Sequence, residues 1–162
     1  MKKINAKDLV SKIEKITKER MAKNDVISFE DLKRLKTKAS QCTLLVIEDD
    51  ETVRGALKRV FEREGYKVLV ASDGTQLSTV LDDTSIDLII LDVGLPWING
   101  YELAEMMKEH EDLKDIPLIF ISGHKSEEDI KRGFEVGADD YITKPFDLEK
   151  IKKAVKTLIQ IS

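Results

Sequence analysis

From residue 43 onward the sequence alternates short apolar runs with amphipathic stretches, and this alternation is the tightest constraint on what the chain can fold into. The runs are TLLVIE (43–48), KVLVA (67–71), DLIILD (87–92), PLIFIS (117–122) and a shorter DYIT (140–143). Such runs are too short for helices, and their apolar residues are nearly continuous, as strands covered on both faces require. Helices are predicted between them, near 52–64, 75–82, 100–110, 127–136 and 147–160. The first sets Val53, Ala56, Leu57, Val60 and Phe61 on one face; the last does the same with Ile151, Ala154, Val155, Leu158 and Ile159. Residues 75–85, TQLSTVLDDTS, make the least regular of the five. EGY, SDG, NG, VGAD and KP fall between elements and mark turns or helix ends. Strand and helix in strict alternation imply βαβ units and a parallel α/β sheet.

Residues 1–41 read differently, as helix without strand. Asn5 is a candidate N-cap for a stripe of Leu9, Val10, Ile13, Ile16 and Met21. A second helix starts at SFEDLKRLK, with Ser28 and Asp31 spaced as in a capping box and Phe29, Leu32 and Leu35 apolar. Both stripes are narrow, so the extension must pack on something to be stable in water. Charge divides the chain at the same place. Residues 1–41 carry 12 basic and 6 acidic side chains, whereas 42–162 carry 15 and 25, and the whole has a net charge of −4. A basic block can meet nucleic acid or anionic lipid, but it equally makes a solvated helix face or docks on an acidic neighbour. No run approaches the roughly 18 apolar residues of a membrane span, so no membrane partner and a cytoplasmic location are expected. Cys42 is the only cysteine, which excludes an intramolecular disulfide and reads as a small core residue beside the first strand.

In a parallel sheet with right-handed crossovers all strand C-termini share one edge, and ligands bind there, where the strand order reverses. The first strand delivers Glu48, Asp49 and Asp50 to that edge, the third Asp92, the fourth Ser122, and the fifth leads into Lys144. If the first and third strands are neighbours, three carboxylates converge. Like charges in a partly desolvated cleft are costly unless a cation neutralises them. The ligands on offer are hard oxygens, so Mg²⁺ fits better than zinc. Metal-held carboxylates beside a lysine and a hydroxyl suit phosphoryl transfer to aspartate, where positioning and charge neutralisation do most of the catalysis. Asp50 reads better as the N-cap of the first helix than as a ligand.

Four segments, LLVIEDDETVR, LIILDVGLPWING, IPLIFISGHK and GADDYITKPF, together resemble the receiver domain of bacterial two-component response regulators over about residues 43–161. The resemblance implies a flavodoxin-like, doubly wound five-stranded parallel sheet of order 2-1-3-4-5, to which the residue pattern adds the basic N-terminal helical extension, read as a two-helix hairpin. The domains would be an extension over 1–41 and a receiver over 42–162. By the same resemblance Asp92 is the phosphoacceptor, taking phosphoryl from a sensor histidine kinase or histidine phosphotransfer protein. Glu48, Asp49, Asp92 and the Gly94 carbonyl would hold Mg²⁺. Lys144 would pair with the phosphoryl oxygens, ahead of a cis bond to Pro145. Ser122 is the switch hydroxyl, and Tyr141 is the aromatic whose rotamer follows it on the face of the fourth helix, last strand and last helix. No motif position is lost, so a phosphorylatable receiver is implied, an enzyme only toward its own phosphorylation and dephosphorylation.

Gly94 and His124 occupy places where the family tunes water access to the phosphoryl group. His110, at the end of the third helix, needs no function beyond suiting the helix dipole. Trp97 lies in a loop expected to be exposed. Glu135, Asp139 and Asp140 partly resemble a dimerising face, but Ile130 replaces a basic residue of that pattern, so a homodimer is open without its full salt-bridge set. Two outputs compete: a downstream protein partner on the Tyr141 face, or residues 1–41 acting as a phosphorylation-controlled module for nucleic acid or another partner. Against nucleic acid, the extension has one aromatic, Phe29, and no recognition-helix motif. An aspartate-nucleophile phosphatase would want a second acid two residues after Asp92, where Gly94 stands, and a flavin protein would not place EDDET after its first strand. A nucleic-acid shift assay across a salt series is expected to show no salt-dependent binding; a linear loss of affinity with salt would make the extension a nucleic-acid module.

Overall fold

The computed structural model describes residues 41–83 and 85–161, together with Val10, Ser11, Ile13 and Lys15, which are helical. The chain divides into two units at Cys42 and Thr43. The predicted Asn5 cap, the second N-terminal helix and Phe29 lie outside the described residues.

Five strands, β1 (Thr43–Ile47), β2 (Lys67–Ala71), β3 (Leu88–Asp92), β4 (Leu118–Ser122) and β5 (Asp140–Thr143), form one parallel sheet of order β2-β1-β3-β4-β5. The helices between and after them are α1 (Glu51–Arg63), α2 (Gly74–Asp83), α3 (Gly100–Glu109), α4 (Glu127–Glu135) and α5 (Leu148–Ile161). The predicted order and alternation are therefore present. β1, β3 and β4 are buried along their whole length, as strands sandwiched between two helical layers must be.

Side-chain alternation sorts the core into two layers. Leu45, Ile47, Ile89, Leu91, Leu118 and Phe120 face one way, against Leu77 of α2 and Leu103, Ala104 and Met107 of α3. Leu44, Val46, Leu88, Ile90, Ile119 and Ile121 face the other, against Leu57 and Phe61 of α1 and Ile151 and Val155 of α5. Cys42 is half-buried and not disulfide-bonded.

The least regular predicted helix forms because its start is capped from both sides. The Asp73 carboxylate accepts from the Gln76 amide at 2.8 Å, while the Gln76 side chain accepts from the Ser72 amide at 2.8 Å. At α1 the cap is Asp50, whose carboxylate accepts from the Thr52 and Val53 amides, so it is spent on the helix. Asn99 and Ser126 cap α3 and α4 in the same way. Gly65 and Gly137, with φ of 95° and 109°, turn the chain after α1 and α4 where a side chain would be strained. The third and fourth strands begin one residue later than their apolar runs suggest. Just before β3, the Asp87 amide donates to the Thr43 carbonyl at 2.8 Å and its carboxylate accepts from the Thr43 amide at 2.7 Å.

After β3 the chain makes a tight return. Gly94 bridges Asn99, and the Gly100 amide donates to the Val93 carbonyl at 2.9 Å. A Cβ at Gly100 would stand 2.5 Å from both the Asp92 carbonyl oxygen and the Val93 Cα. Replacing Gly100 by Ala should destabilise the protein by about 1–3 kcal/mol through this overlap, read as a lowered midpoint in thermal unfolding. An unchanged midpoint would mean that the loop yields without strain.

Candidate functional site

Register brings the acids together. Ile47 is level with Leu91 on the adjacent strand, so the next residues, Glu48 and Asp92, leave the sheet side by side. Glu48 is fully buried and Asp92 nearly so, while Asp49 is exposed. One carboxylate oxygen from each of Glu48, Asp49 and Asp92 lies within 4.8 Å of the others. Among the described residues this is the acidic group that could hold a metal ion.

Lys144 reaches the group from the far side of β4. Its Nζ lies 2.9 Å from Glu48 Oε2 and 3.5 Å from Asp92 Oδ2. Its backbone amide donates to the Ser122 carbonyl at 2.7 Å, and the bond to Pro145 is cis. Burial alone would lower the lysine's pKa, but the Glu48 hydrogen bond and the Asp92 charge outweigh it and the net shift is upward. Burial pushes Glu48 up to about 7, against the opposing pull of Lys144 and of the Asp50 amide, which donates to Glu48 Oε1. Three carboxylates against one ammonium leave the cluster short of positive charge. A hard divalent cation would meet that shortfall.

The backbone around the acids is held from both sides. Arg54, one turn into α1, donates from one guanidinium nitrogen to the carbonyls of Glu48 and Asp49 at 3.0 and 3.1 Å. The Gly94 amide donates to Asp92 Oδ1 at 3.2 Å, and Gly94 itself is exposed. Ser122 is fully buried, one residue beyond the partner of Asp92 on β4, and its hydroxyl accepts from the His124 amide at 3.0 Å. Tyr141 points inward, 8% exposed, and donates to the His124 carbonyl at 2.8 Å. Glu48, Asp49, Asp92 and Lys144 thus meet directly, whereas Ser122 and Tyr141 meet each other through His124.

One smaller expectation, an exposed Trp97, is met only in part. Trp97 does not stand free in its loop: it is half-buried, its indole N–H donates to the Ser72 carbonyl at 3.2 Å, and its ring lies over Gly74. Two acids of the partly matching dimerising face hydrogen-bond to backbone amides within the chain. Asp139 accepts from the Leu118 amide and Asp140 from the Tyr141 amide. Ile130 packs on the core, which explains an apolar residue there. Sequence reasoning missed Arg54, Tyr101 and Gly133, whose contacts appear only in three dimensions. For Arg54, its place one turn into a helix that starts at the acids was a usable signal.

The fold holds a proton on Glu48 more tightly than the unfolded chain does. Its favourable contribution is therefore full below about pH 4.5 and is lost as pH rises through about 7. Chemical denaturation of the metal-free protein should show stability falling across this window. Glu48→Gln should flatten the slope, and added Mg²⁺ should offset it in the wild type alone, since a cation favours the ionised acid. Equal slopes in both proteins would discard this account of Glu48.

Residues 44–156 match the response regulator receiver domain family. The chain is 39% identical over 116 residues to the aerobic respiration control protein ArcA of Escherichia coli K12, covering 72% of this chain and 48% of that one. It is 40% identical over 119 residues to the phosphate regulon transcriptional regulatory protein PhoB of Pseudomonas aeruginosa, covering 73% and 52%. The chain spans about half the length of these curated relatives. Among solved structures, a putative response regulator from Chloroflexus aurantiacus superposes with a TM-score of 0.70 at 32% identity, covering 75% of this chain and 99% of that one. Sheet order, strand-end carboxylates and these similarities agree: the chain belongs to the response regulator receiver domain family.

Proposed function

We propose that residues 42–162 form a phosphoacceptor switch in a two-component phosphorelay, with Asp92 as the residue phosphorylated. The observation that carries this is one cluster: Asp92 beside Glu48 and Asp49, with Lys144 Nζ 3.5 Å from its Oδ2. The phosphoryl donor is a sensor histidine kinase or a histidine phosphotransfer protein. An Asp92 carboxylate oxygen attacks phosphorus, the P–N bond to the donor histidine breaks, and the imidazole leaves with that electron pair and is reprotonated. Lys144, already placed between Asp92 and Glu48, pairs with the incoming phosphoryl oxygens. Glu48, Asp49, Asp92 and the Gly94 carbonyl are the proposed Mg²⁺ ligands. When bound there, Mg²⁺ supplies positive charge that the acids and the phosphoryl group lack.

Phosphorylation adds about −1.5 to −2 charge at the site. The Ser122 hydroxyl turns toward it, and the bond from the His124 amide makes the following loop part of that movement. Readout is by a downstream protein partner on the face of α4, β5 and α5, where Tyr141 lies. The chemistry stays within the chain's own phosphorylation and hydrolysis, in the cytoplasm; among the described residues no helix is long and apolar enough to cross a membrane. A second reading, a phosphorylation-controlled regulator with residues 1–41 as output, draws support from relatives named for transcriptional control.

Incubation of the full chain with acetyl phosphate and Mg²⁺ should add one phosphoryl mass by intact mass spectrometry. Asp92→Asn or removal of Mg²⁺ by chelation should abolish it. Uptake that persists in Asp92→Asn would place the acceptor elsewhere.

A further inference from the structure

The hydroxyl groups of Tyr101, at the start of α3, and Tyr141, on β5, meet 3.1 Å apart in the core. Tyr141 also donates to the His124 carbonyl at 2.8 Å, and Tyr101 lies 3.0 Å from the Asp129 carbonyl. Two hydroxyl protons thus serve three oxygen contacts, and the pair ties the loop after β4 to the first turn of α4. Burial, followed by the Tyr141 hydroxyl, pushes Tyr101 ionisation well above that of an ordinary phenol, so Tyr101 keeps its proton.

The rings are held as firmly as the hydroxyls. Phe120 packs edge-on to Tyr101 with centroids 5.2 Å apart and tilted to Tyr141 at 5.9 Å, while the Arg132 guanidinium lies 4.6 Å above the Tyr101 ring. Gly133 makes the recess for Tyr141. A Cβ there would stand 2.6 Å from Tyr141 Cδ2 and 3.0 Å from Cε2.

We propose that Tyr101 is a positioning residue for the phosphorylation switch: its hydroxyl, with the recess at Gly133, latches Tyr141 inward and thereby fixes the backbone of His124, whose amide donates to Ser122. The proposal rests on the receiver reading above. His124 is held at both ends of the coupling, its amide by Ser122 and its carbonyl by Tyr141. A loop already ordered loses less entropy when a phosphoryl group engages Ser122, so the latch raises affinity for that group. Linkage makes the effect reciprocal, and the bound group steadies Tyr141 in return. If Tyr101 only filled core volume, phenylalanine would serve as well.

The test uses the full chain as wild type, Tyr101→Phe, Gly133→Ala and Asp92→Asn. It measures Tyr141 nitration by tetranitromethane with peptide mapping, and binding of beryllofluoride, a phosphoryl analogue, with Mg²⁺. In Tyr101→Phe the loss of one buried hydrogen bond should speed Tyr141 nitration in the beryllofluoride-free protein. It should also weaken beryllofluoride binding about fivefold. Gly133→Ala, which favours helix and keeps Tyr101, should move both readouts the same way. A purely structural role would lower the unfolding midpoint and leave both where they are. Equal Tyr141 nitration in Tyr101→Phe and wild type overturns the latch. Equal beryllofluoride responses of wild type and Asp92→Asn overturn the receiver reading instead, and nitration still decides the latch.

Discussion

The Lys144 ammonium, 2.9 Å from Glu48 and 3.5 Å from Asp92, is the interaction around which the edge of the sheet is organised. Two adjacent buried carboxylates would repel one another strongly, and removing their one counter-charge would leave them uncompensated. That counter-charge comes from the end of β5, two strands away from β3. It can arrive only if β4 lies between them and ends level with Asp92, as the register provides. Strand order and electrostatics therefore depend on each other. Even with Lys144 in place, burial pushes Glu48 up toward neutrality, and the nearby Asp92 charge adds to the shift.

Rigidity at the site is supplied mainly by backbone contacts. Arg54 clamps two consecutive carbonyls after β1, and the loop after β3 is folded back through Gly100 and anchored by Trp97 to the turn after β2. These contacts hold the strand ends with few soft torsions. Charge transfer to a preorganised site needs little reorganisation. Ser122 and Tyr141 are joined through the backbone of one residue, His124, whose amide donates to the Ser122 hydroxyl and whose carbonyl accepts from Tyr141.

How much of this was legible in the sequence depended on how local each feature's cause was. Asp50 as a helix cap could be read because its partners lie two and three residues away. The strand-end acids could be read because a buried strand must stop where a charge begins. Trp97 could not, since its partner Ser72 is 25 residues distant and nothing in WING indicates which turn it will meet. Nor could the bond from the Leu118 amide to Asp139, which joins residues 21 apart in the sequence. The Tyr101 and Tyr141 contact joins residues 40 apart on different elements, and no period or motif encodes it.

Sequence alone determined the alternation of strand and helix, the capped helix starts and the residue types brought to one sheet edge. These follow from hydrophobic period and local hydrogen bonding, which act over a few residues. Tertiary structure alone decided which of those residues touch. It set Glu48 buried and Asp49 exposed, gave Lys144 its two partners, and seated Tyr141 against a glycine. The physical reason is that burial and ion pairing are properties of the packed whole, fixed by strand order and register at separations that no local pattern spans.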